Sequence, residues 1–188
     1  MDVLQKKLTY REFRELEFDD NDTYWYELIN GELVQKQSPS IRHQRISQKI
    51  EFELAMYAGQ TQSGEMFHAP LDVVLDDNNA YHPDILFIKK DRSFILDNKE
   101  QVVIGSPDLV VEILSKSTAV YDKGAKRETY ERNGVREYWL VDPRNKSIEV
   151  YGLVEQRYRL IAYQEESGII KSAVLEGFEL DIEKIFEE

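Results

Sequence analysis

Three charged residues stand where their surroundings could hold them for chemistry: Asp84, Glu112 and Lys126. Glu112 sits in the middle of Pro107-Asp-Leu-Val-Val-Glu-Ile-Leu-Ser115, a short and nearly continuous apolar run bounded by turn-forming and polar residues. Its length and Val/Ile/Leu content predict a strand buried on both faces. An unpaired buried carboxylate is costly, so a cation, a metal or a raised pKa must accompany Glu112. Asp84 opens the apolar part of Tyr81-His-Pro-Asp-Ile-Leu-Phe-Ile88. If the 81–88 and 108–115 strands are neighbours, Asp84 and Glu112 converge on one ion, and hard oxygen ligands of this kind suit Mg²⁺. Taken alone, Asp84 is a turn residue after Asn78-Asn79. Lys126 belongs to a predicted helix whose apolar stripe is only Val120, Ala125 and Tyr130, with Lys123, Lys126 and Arg127 on the arc around Tyr130. A helix so poor in apolar residues turns cations towards the sheet, where they must meet anions. The alternative is an exposed Asp122–Lys126 pair at i,i+4, worth only ~0.2–0.5 kcal/mol.

The elements that must position these residues can be read in order. Leu8 to Phe13 starts a helix with a Thr9/Glu12 capping box, running to about Phe18 before a polar Asp19–Asp22 loop. Residues 24–29 and 32–35 form a hairpin around Asn30-Gly31. Ser38 is the expected N-cap of a long helix, with Pro39 at its first position and Gly59 near its end. On it Ile46, Ile50, Leu54 and Tyr57 share a face with His43, and Arg42, Arg45 and Lys49 form a basic stripe along its edge. Strands are predicted over 67–75 and 81–88, then loop with a little helix over 89–100, then the run 102–115. A helix over 118–133 closes at Gly134, and strands follow over 135–141, 147–153, 156–163 and 169–174. Asp181 caps a terminal helix. The strand–helix–strand unit over 108–141 implies a parallel pair, and the whole an α/β fold with a mixed sheet flanked by helices. Within the 108–115 strand, Asp108, Val110, Glu112 and Leu114 point one way, and Leu109, Val111 and Ile113 the other.

Composition narrows the function classes. One domain over 1–188 is expected from the length. The chain has no cysteine, which excludes disulfides, thiolate metal sites and a Cys nucleophile. No apolar run reaches the ~20 residues of a membrane span, and the N-terminus has no secretory core, so no membrane partner and a cytoplasmic location are the default. The 36 acidic and 24 basic residues give a net charge of −12, which argues against a general nucleic-acid binder. It leaves room for an enzyme that uses carboxylates for a metal and a local basic groove for DNA. Ser115, Ser117 and the histidines are not set in a Gly-x-Ser-x-Gly elbow, so a serine hydrolase has little support.

With these positions in hand, the chain resembles the PD-(D/E)xK nuclease superfamily and, within it, the Uma-type family of proposed restriction endonucleases. The segments that carry the resemblance run from Tyr26-Glu-Leu-Ile-Asn-Gly-Glu-Leu33 through Ser38-Pro-Ser-Ile-Arg-His43, His82-Pro-Asp84 and Pro107 to Ser115. They continue through Asp122, Lys126 and Tyr130 to Gly134-Val-Arg-Glu-Tyr-Trp-Leu-Val-Asp-Pro143 and Tyr151. The resemblance implies a restriction-endonuclease-like core and a Mg²⁺- or Mn²⁺-dependent DNA endonuclease. It implies Asp84, Glu112 and the Ile113 carbonyl as metal ligands. The lysine usual two residues after the acid is replaced by Leu114, and Lys126 fits a lysine that has moved to the following helix. His43, Arg42, Arg45 and Asp108 are candidates to touch a phosphate or support the ligands. Asp108, at the strand entrance, also fits a turn with Ser106-Pro107, and His43 also fits a hydrogen-bonded residue between helix and sheet. Glu27 and Glu32 match family positions without a derivable role. The rival expectation is an inactive binding or assembly module, a homodimer, with Glu112–Lys126 as a structural ion pair.

Overall fold

The protein is described by a computed structural model over residues 7–17 and 24–187. Helix α1 (Tyr10–Arg14) starts with the expected capping box, Thr9 and Glu12 each accepting the other's backbone N–H. It ends at Arg14, short of Phe18, which with the Asp19–Asp22 loop lies outside the described residues. Strands β1 (Trp25–Ile29) and β2 (Glu32–Lys36) form the expected hairpin, with φ of 51° at Asn30 and 79° at Gly31, the pairing this two-residue turn requires. Helix α2 (Ile41–Thr61) begins later than Ser38-Pro39 suggested. Ser40 is the N-cap, its backbone extended and its hydroxyl accepting from the His43 N–H at 3.2 Å. That start puts His43, Ile46, Ser47, Ile50 and Leu54 on the buried face.

Three runs that read as continuous strands are each cut at a proline, and at each cut the chain changes sheet. The 67–75 run becomes β3 (Gly64–His68) and β4 (Val73–Asp76) around Pro70. The 81–88 run becomes β5 (Asn79–Tyr81) and β6 (Ile85–Lys89) around Pro83. A 3-10 turn (Lys90–Ile95) and β7 (Leu96–Asp97) follow, and the 102–115 run becomes β8 (Val102–Ile104) and β9 (Leu109–Ile113) around Pro107. Proline has no N–H to give a ladder, so each run breaks there. The helix expected over 118–133 is also interrupted. It consists of α3 (Ala119–Tyr121), a wide π turn (Asp122–Lys126) with non-helical Gly124, and α4 (Arg127–Asn133), closed as expected by Gly134 at φ 82°. Asp122, Lys126, Thr129 and Tyr130, at the i, i+4, i+7, i+8 spacing of one helix face, all face the interior, whereas Val120 is exposed.

The chain finishes with β10 (Glu137–Asp142), β11 (Ser147–Val154), β12 (Arg157–Glu165), β13 (Ile169–Lys171), β14 (Glu179–Asp181) and α5 (Ile182–Phe186), capped by Asp181. The central sheet has the order β12-β11-β10-β9-β6-β3, the second sheet β2-β1-β5-β4-β8-β7, and β13 pairs with β14. β9 and β10 are parallel, as the crossover implied, and β6 runs antiparallel to β9 with Ile85 opposite Val111. One face of the central sheet, with Leu109, Val111 and Ile113, packs against Ile46, Ile50 and Leu54 of α2 and against α5. Those three α2 side chains contribute roughly 5–8 kcal/mol of apolar burial. The other face, with Val110, Leu86 and Tyr138, packs against Ile29, Val73 and Val103 of the second sheet and Tyr130 of α4. Cover on both faces explains the nearly continuous apolar sequence of β9. Among the described residues, no helix is long and apolar enough to cross a membrane.

Candidate functional site

Glu112 points into the seam between the two sheets, on the side of Val110 as alternation required, and is 1% exposed. Lys126 meets it there: its ammonium lies 2.6 Å from Glu112 Oε1, 3.2 Å from Glu27 Oε1 and 3.4 Å from Asp122 Oδ1. Tyr130 donates its hydroxyl to Glu112 Oε1 at 2.8 Å, and Tyr81 presents its ring 5.3 Å from the Lys126 ammonium. Glu27 arrives from β1, where it is the carboxylate among Trp25, Tyr26, Leu28 and Ile29. Its Oε1 also accepts from the His82 N–H at 2.8 Å and from Lys36 Nζ at 3.3 Å. Lys36, at the end of β2, donates to the His82 carbonyl at 3.2 Å as well.

Asp84 stands where the chain passes from β5 in one sheet to β6 in the other. Its Oδ2 accepts from the Ile113 N–H at 2.7 Å, which ties it to the residue after Glu112. His43, in the first turn of α2, lies with Nε2 3.2 Å from the same oxygen. A carboxylate only accepts, so Nε2 carries the proton and Nδ1, which is buried without a hydrogen-bond partner, is the free ring atom. Side-chain exposure divides the site into a floor and a rim. Glu27 and Glu112 at 2%, Asp122 at 1% and Lys126 at 0% form the floor. Lys36 at 15%, Asp84 at 13% and His43 at 11% form the rim.

Four carboxylates face two ammoniums, so with His43 neutral the cluster carries two uncompensated negative charges when fully ionised. Burial, against the pull of Lys126 and with the push of Asp122, lifts the Glu112 carboxyl up to about 8. Burial also raises Asp122, against the pull of the Lys126 ammonium 3.4 Å from its Oδ1. Burial works in the same direction on Glu27, but Lys126, Lys36 and the His82 N–H outweigh it and hold the group below the ordinary range. Asp84 is likewise held low, because His43, Lys36 and the Ile113 N–H overcome its burial. Lys126 is held charged by its three carboxylates despite complete burial.

This donor set fits a hard divalent cation in charge and in chemistry. Asp84 stands just before β6, next to the Ile85–Val111 pair, Glu112 follows Val111 on β9, and the four carboxylates of the cluster outnumber its two ammoniums. Among the described residues, no three His, Asp or Glu side chains converge at metal-ligand spacing, and the Lys126 ammonium lies within 3.4 Å of Glu27, Glu112 and Asp122.

The remaining candidates lie elsewhere. Arg42 and Arg45 are exposed along α2, a solvated flank, while Lys49 turns to the Lys184 and Glu187 carbonyls. Asp108 is buried at the opposite end of β9, where it takes the Lys89 N–H and ion pairs from Arg92 and Arg136; the structure does not bring it to Glu112. Glu32 is exposed beside the hairpin turn. Residue reasoning found no part for Glu27, Lys36 or Tyr130. Glu27 carries the same signal as Glu112, a lone carboxylate in an apolar strand. Lys36 shares the inward alternation of Val34.

Comparisons with known proteins follow this geometry. A family model, Uma2, described as "Putative restriction endonuclease", matches residues 10–183. Two curated relatives come from Synechocystis sp., both named only as uncharacterised proteins. One, sll1609, is 29% identical over 158 residues, 83% of this chain and 86% of that one. The other, slr1290, is 24% identical over 181 residues, 94% and 90% of the two chains. Among solved structures, one titled as a "putative nuclease belonging to DUF820" from Anabaena variabilis superposes with a TM-score of 0.75. It is 22% identical and the match covers 95% of this chain and 97% of that one, which shows the same mixed α/β, restriction-endonuclease-like fold.

Proposed function

The chain belongs to the Uma2 family of restriction-endonuclease-like proteins, and from that premise we propose that it is a Mg²⁺- or Mn²⁺-dependent endonuclease hydrolysing phosphodiester bonds of DNA. The observation that carries this reading is that Asp84 is tied through the Ile113 N–H to the residue after Glu112, in a cluster where carboxylates outnumber ammoniums. Asp84, Glu112 and the Ile113 carbonyl would hold the ion. Bound there, the ion supplies Lewis-acid polarisation of the scissile phosphate.

The chain's own residues have separable tasks. His43 holds Asp84 through Nε2–H, and the Ile113 N–H fixes the same oxygen. Lys126, on the helix where a moved lysine was expected, fixes Glu112 with Tyr130 and offsets the floor charge. Hydrolysis adds a water oxygen to phosphorus, that water giving a proton to solvent, and breaks one P–O ester bond, the leaving oxygen taking a proton from solvent. The test is incubation of the purified protein with plasmid and single-stranded DNA in Mg²⁺ or Mn²⁺. Cleavage is expected in the wild type and absent from Asp84→Ala/Glu112→Ala; equal cleavage by the double variant removes the mechanism.

A second reading has one observation in its favour. Lys126 is fully buried and engaged by three carboxylates, as a structural ion pair in an inactive binding or assembly module would be. Calorimetry separates the two: Mn²⁺ binding that depends on Asp84 and Glu112 supports the enzyme, and no binding at millimolar Mn²⁺ supports the module.

A further inference from the structure

The two lysines of the cluster are not equivalent. Lys126 is 0% exposed, with three carboxylates within 3.4 Å, so its charge is spent inside the protein. Lys36 is 15% exposed and touches one carboxylate, Glu27, at 3.3 Å. Glu27 Oε1 is itself shared with the Lys126 ammonium at 3.2 Å and the His82 N–H at 2.8 Å. The second partner of Lys36 is neutral, the His82 carbonyl at 3.2 Å. An ammonium has three N–H donors, and among the described residues Lys36 has two hydrogen-bond partners, which leaves one donor for a ligand while the neighbouring carboxylates Glu27, Glu112 and Asp84 keep the group charged. The backbone that accepts from Lys36 leads through Pro83 directly into Asp84, which shares the rim with it.

Resting on the nuclease reading above, we propose that Lys36 is the catalytic cation that contacts the non-bridging oxygen of the scissile phosphodiester, while Lys126 is a positioning residue for Glu112. A lysine on the hairpin, delivered through Glu27 and His82, then stands in for the one that Leu114 displaced from β9. The ligand class is a phosphodiester anion. Lys36 supplies a charge-assisted hydrogen bond to oxygens that become more negative as the water adds, which is where a fixed donor accelerates a reaction.

The test compares wild type, Lys36→Met, Lys36→Gln and Lys36→Arg in three measurements: folding by thermal melt, Mn²⁺ binding by calorimetry, and single-turnover cleavage of a linear DNA duplex in Mn²⁺. Lys36→Met is expected to slow cleavage by about 100-fold, as loss of one transition-state donor does. Lys36→Arg is expected to stay within about tenfold of wild type. Mn²⁺ affinity is expected to be equal or higher in Lys36→Met, since a like charge beside Asp84 has gone. If Lys36→Met does not fold, the Lys36→Gln variant, which keeps a donor without the charge, is expected to fold and to slow cleavage similarly. Wild-type cleavage with undiminished cleavage by a folded Lys36 variant overturns the Lys36 assignment and leaves the nuclease reading intact. Parallel loss of Mn²⁺ binding and cleavage makes Lys36 structural and also overturns the assignment. A wild type that folds and cleaves no DNA overturns both.

Discussion

Replacing Lys126 by Met tests whether the helix lysine neutralises the floor of the site. Met fills a similar volume, so the change is mainly one of charge. It leaves Glu112 and Asp122 with no cation in contact, and Glu27 with Lys36 alone. Removing one partner of a buried ion pair costs about 3–5 kcal/mol. Three carboxylates lose a partner here, but Glu112, already pushed up to about 8, is relieved by holding its proton at neutral pH. The expected loss is therefore near the lower bound, about 3 kcal/mol. With a urea m-value of about 2 kcal/mol/M, the unfolding midpoint falls by about 1.5 M. An exposed i,i+4 pair would instead move it by about 0.2 M. Adding Glu112→Gln to Lys126→Met should recover part of the loss, because the two residues are in contact and their effects couple. The assay is equilibrium urea unfolding followed by far-UV circular dichroism at neutral pH. A midpoint shift at the exposed-pair level, or a double variant no more stable than Lys126→Met, would refute the reasoning.

Two further tests probe the frame. Glu137 is fully buried and accepts from Trp139 Nε1 and the Ala173 and Val174 N–H groups; burial, outweighing these bonds, raises its pKa above 4.5. The folded state therefore binds this proton more tightly than the unfolded chain, so the Glu137 contribution is fully present below the unfolded value and is lost as pH rises through the folded one. Urea unfolding at pH 5 and pH 8 should show wild type gaining on Glu137→Gln at the lower pH, and a gap independent of pH contradicts this. Gly31→Ala should lower stability by about 1–2 kcal/mol in the same assay, since φ is 79° and a Cβ would lie 2.6 Å from Lys7 Cβ. A neutral result would mean that the hairpin turn tolerates a side chain.

Periodicity reports one element's own faces, and the features it made legible are of that kind. Thr9/Glu12, Asn30-Gly31, Gly134 and Asp181 act through neighbours in sequence, and each is found where the residues put it. The alternation of β9 assigned Glu112 to the face of Val110, and the poverty of the 118–133 helix in apolar residues pointed Lys126 inward. What failed depended on competition between neighbours or on distant partners. Ser40 rather than Ser38 is the N-cap, its hydroxyl accepting from the His43 N–H, so of two serines with equal local chemistry the structure uses the later one. The kink at Gly124 has no periodic signature, since the residues on either side of it keep one helical face whose apolar pattern is already faint.

The prolines explain why the site itself was only half legible. Pro70, Pro83 and Pro107 each end a run in one sheet and let the chain begin again in the other. A strand reading that runs through these breaks gives Asp84 a strand's neighbours, whereas the chain gives it a corner between the sheets. At that corner its partners come from α2, through His43, and from β9, through Ile113. Glu27 and Lys36 belong to the second sheet, facing across the seam towards a strand far away in sequence, so their role appears only once the sheets are stacked. A cluster built across a seam has another consequence. Its floor is sealed by both sheets and holds charge that must be matched inside, as Lys126 does, while its rim, Lys36, Asp84 and His43, keeps a part of its side-chain surface exposed. Lys36 is on that rim with Asp84 and His43, and the proposed division of labour between the two lysines follows from this difference in exposure.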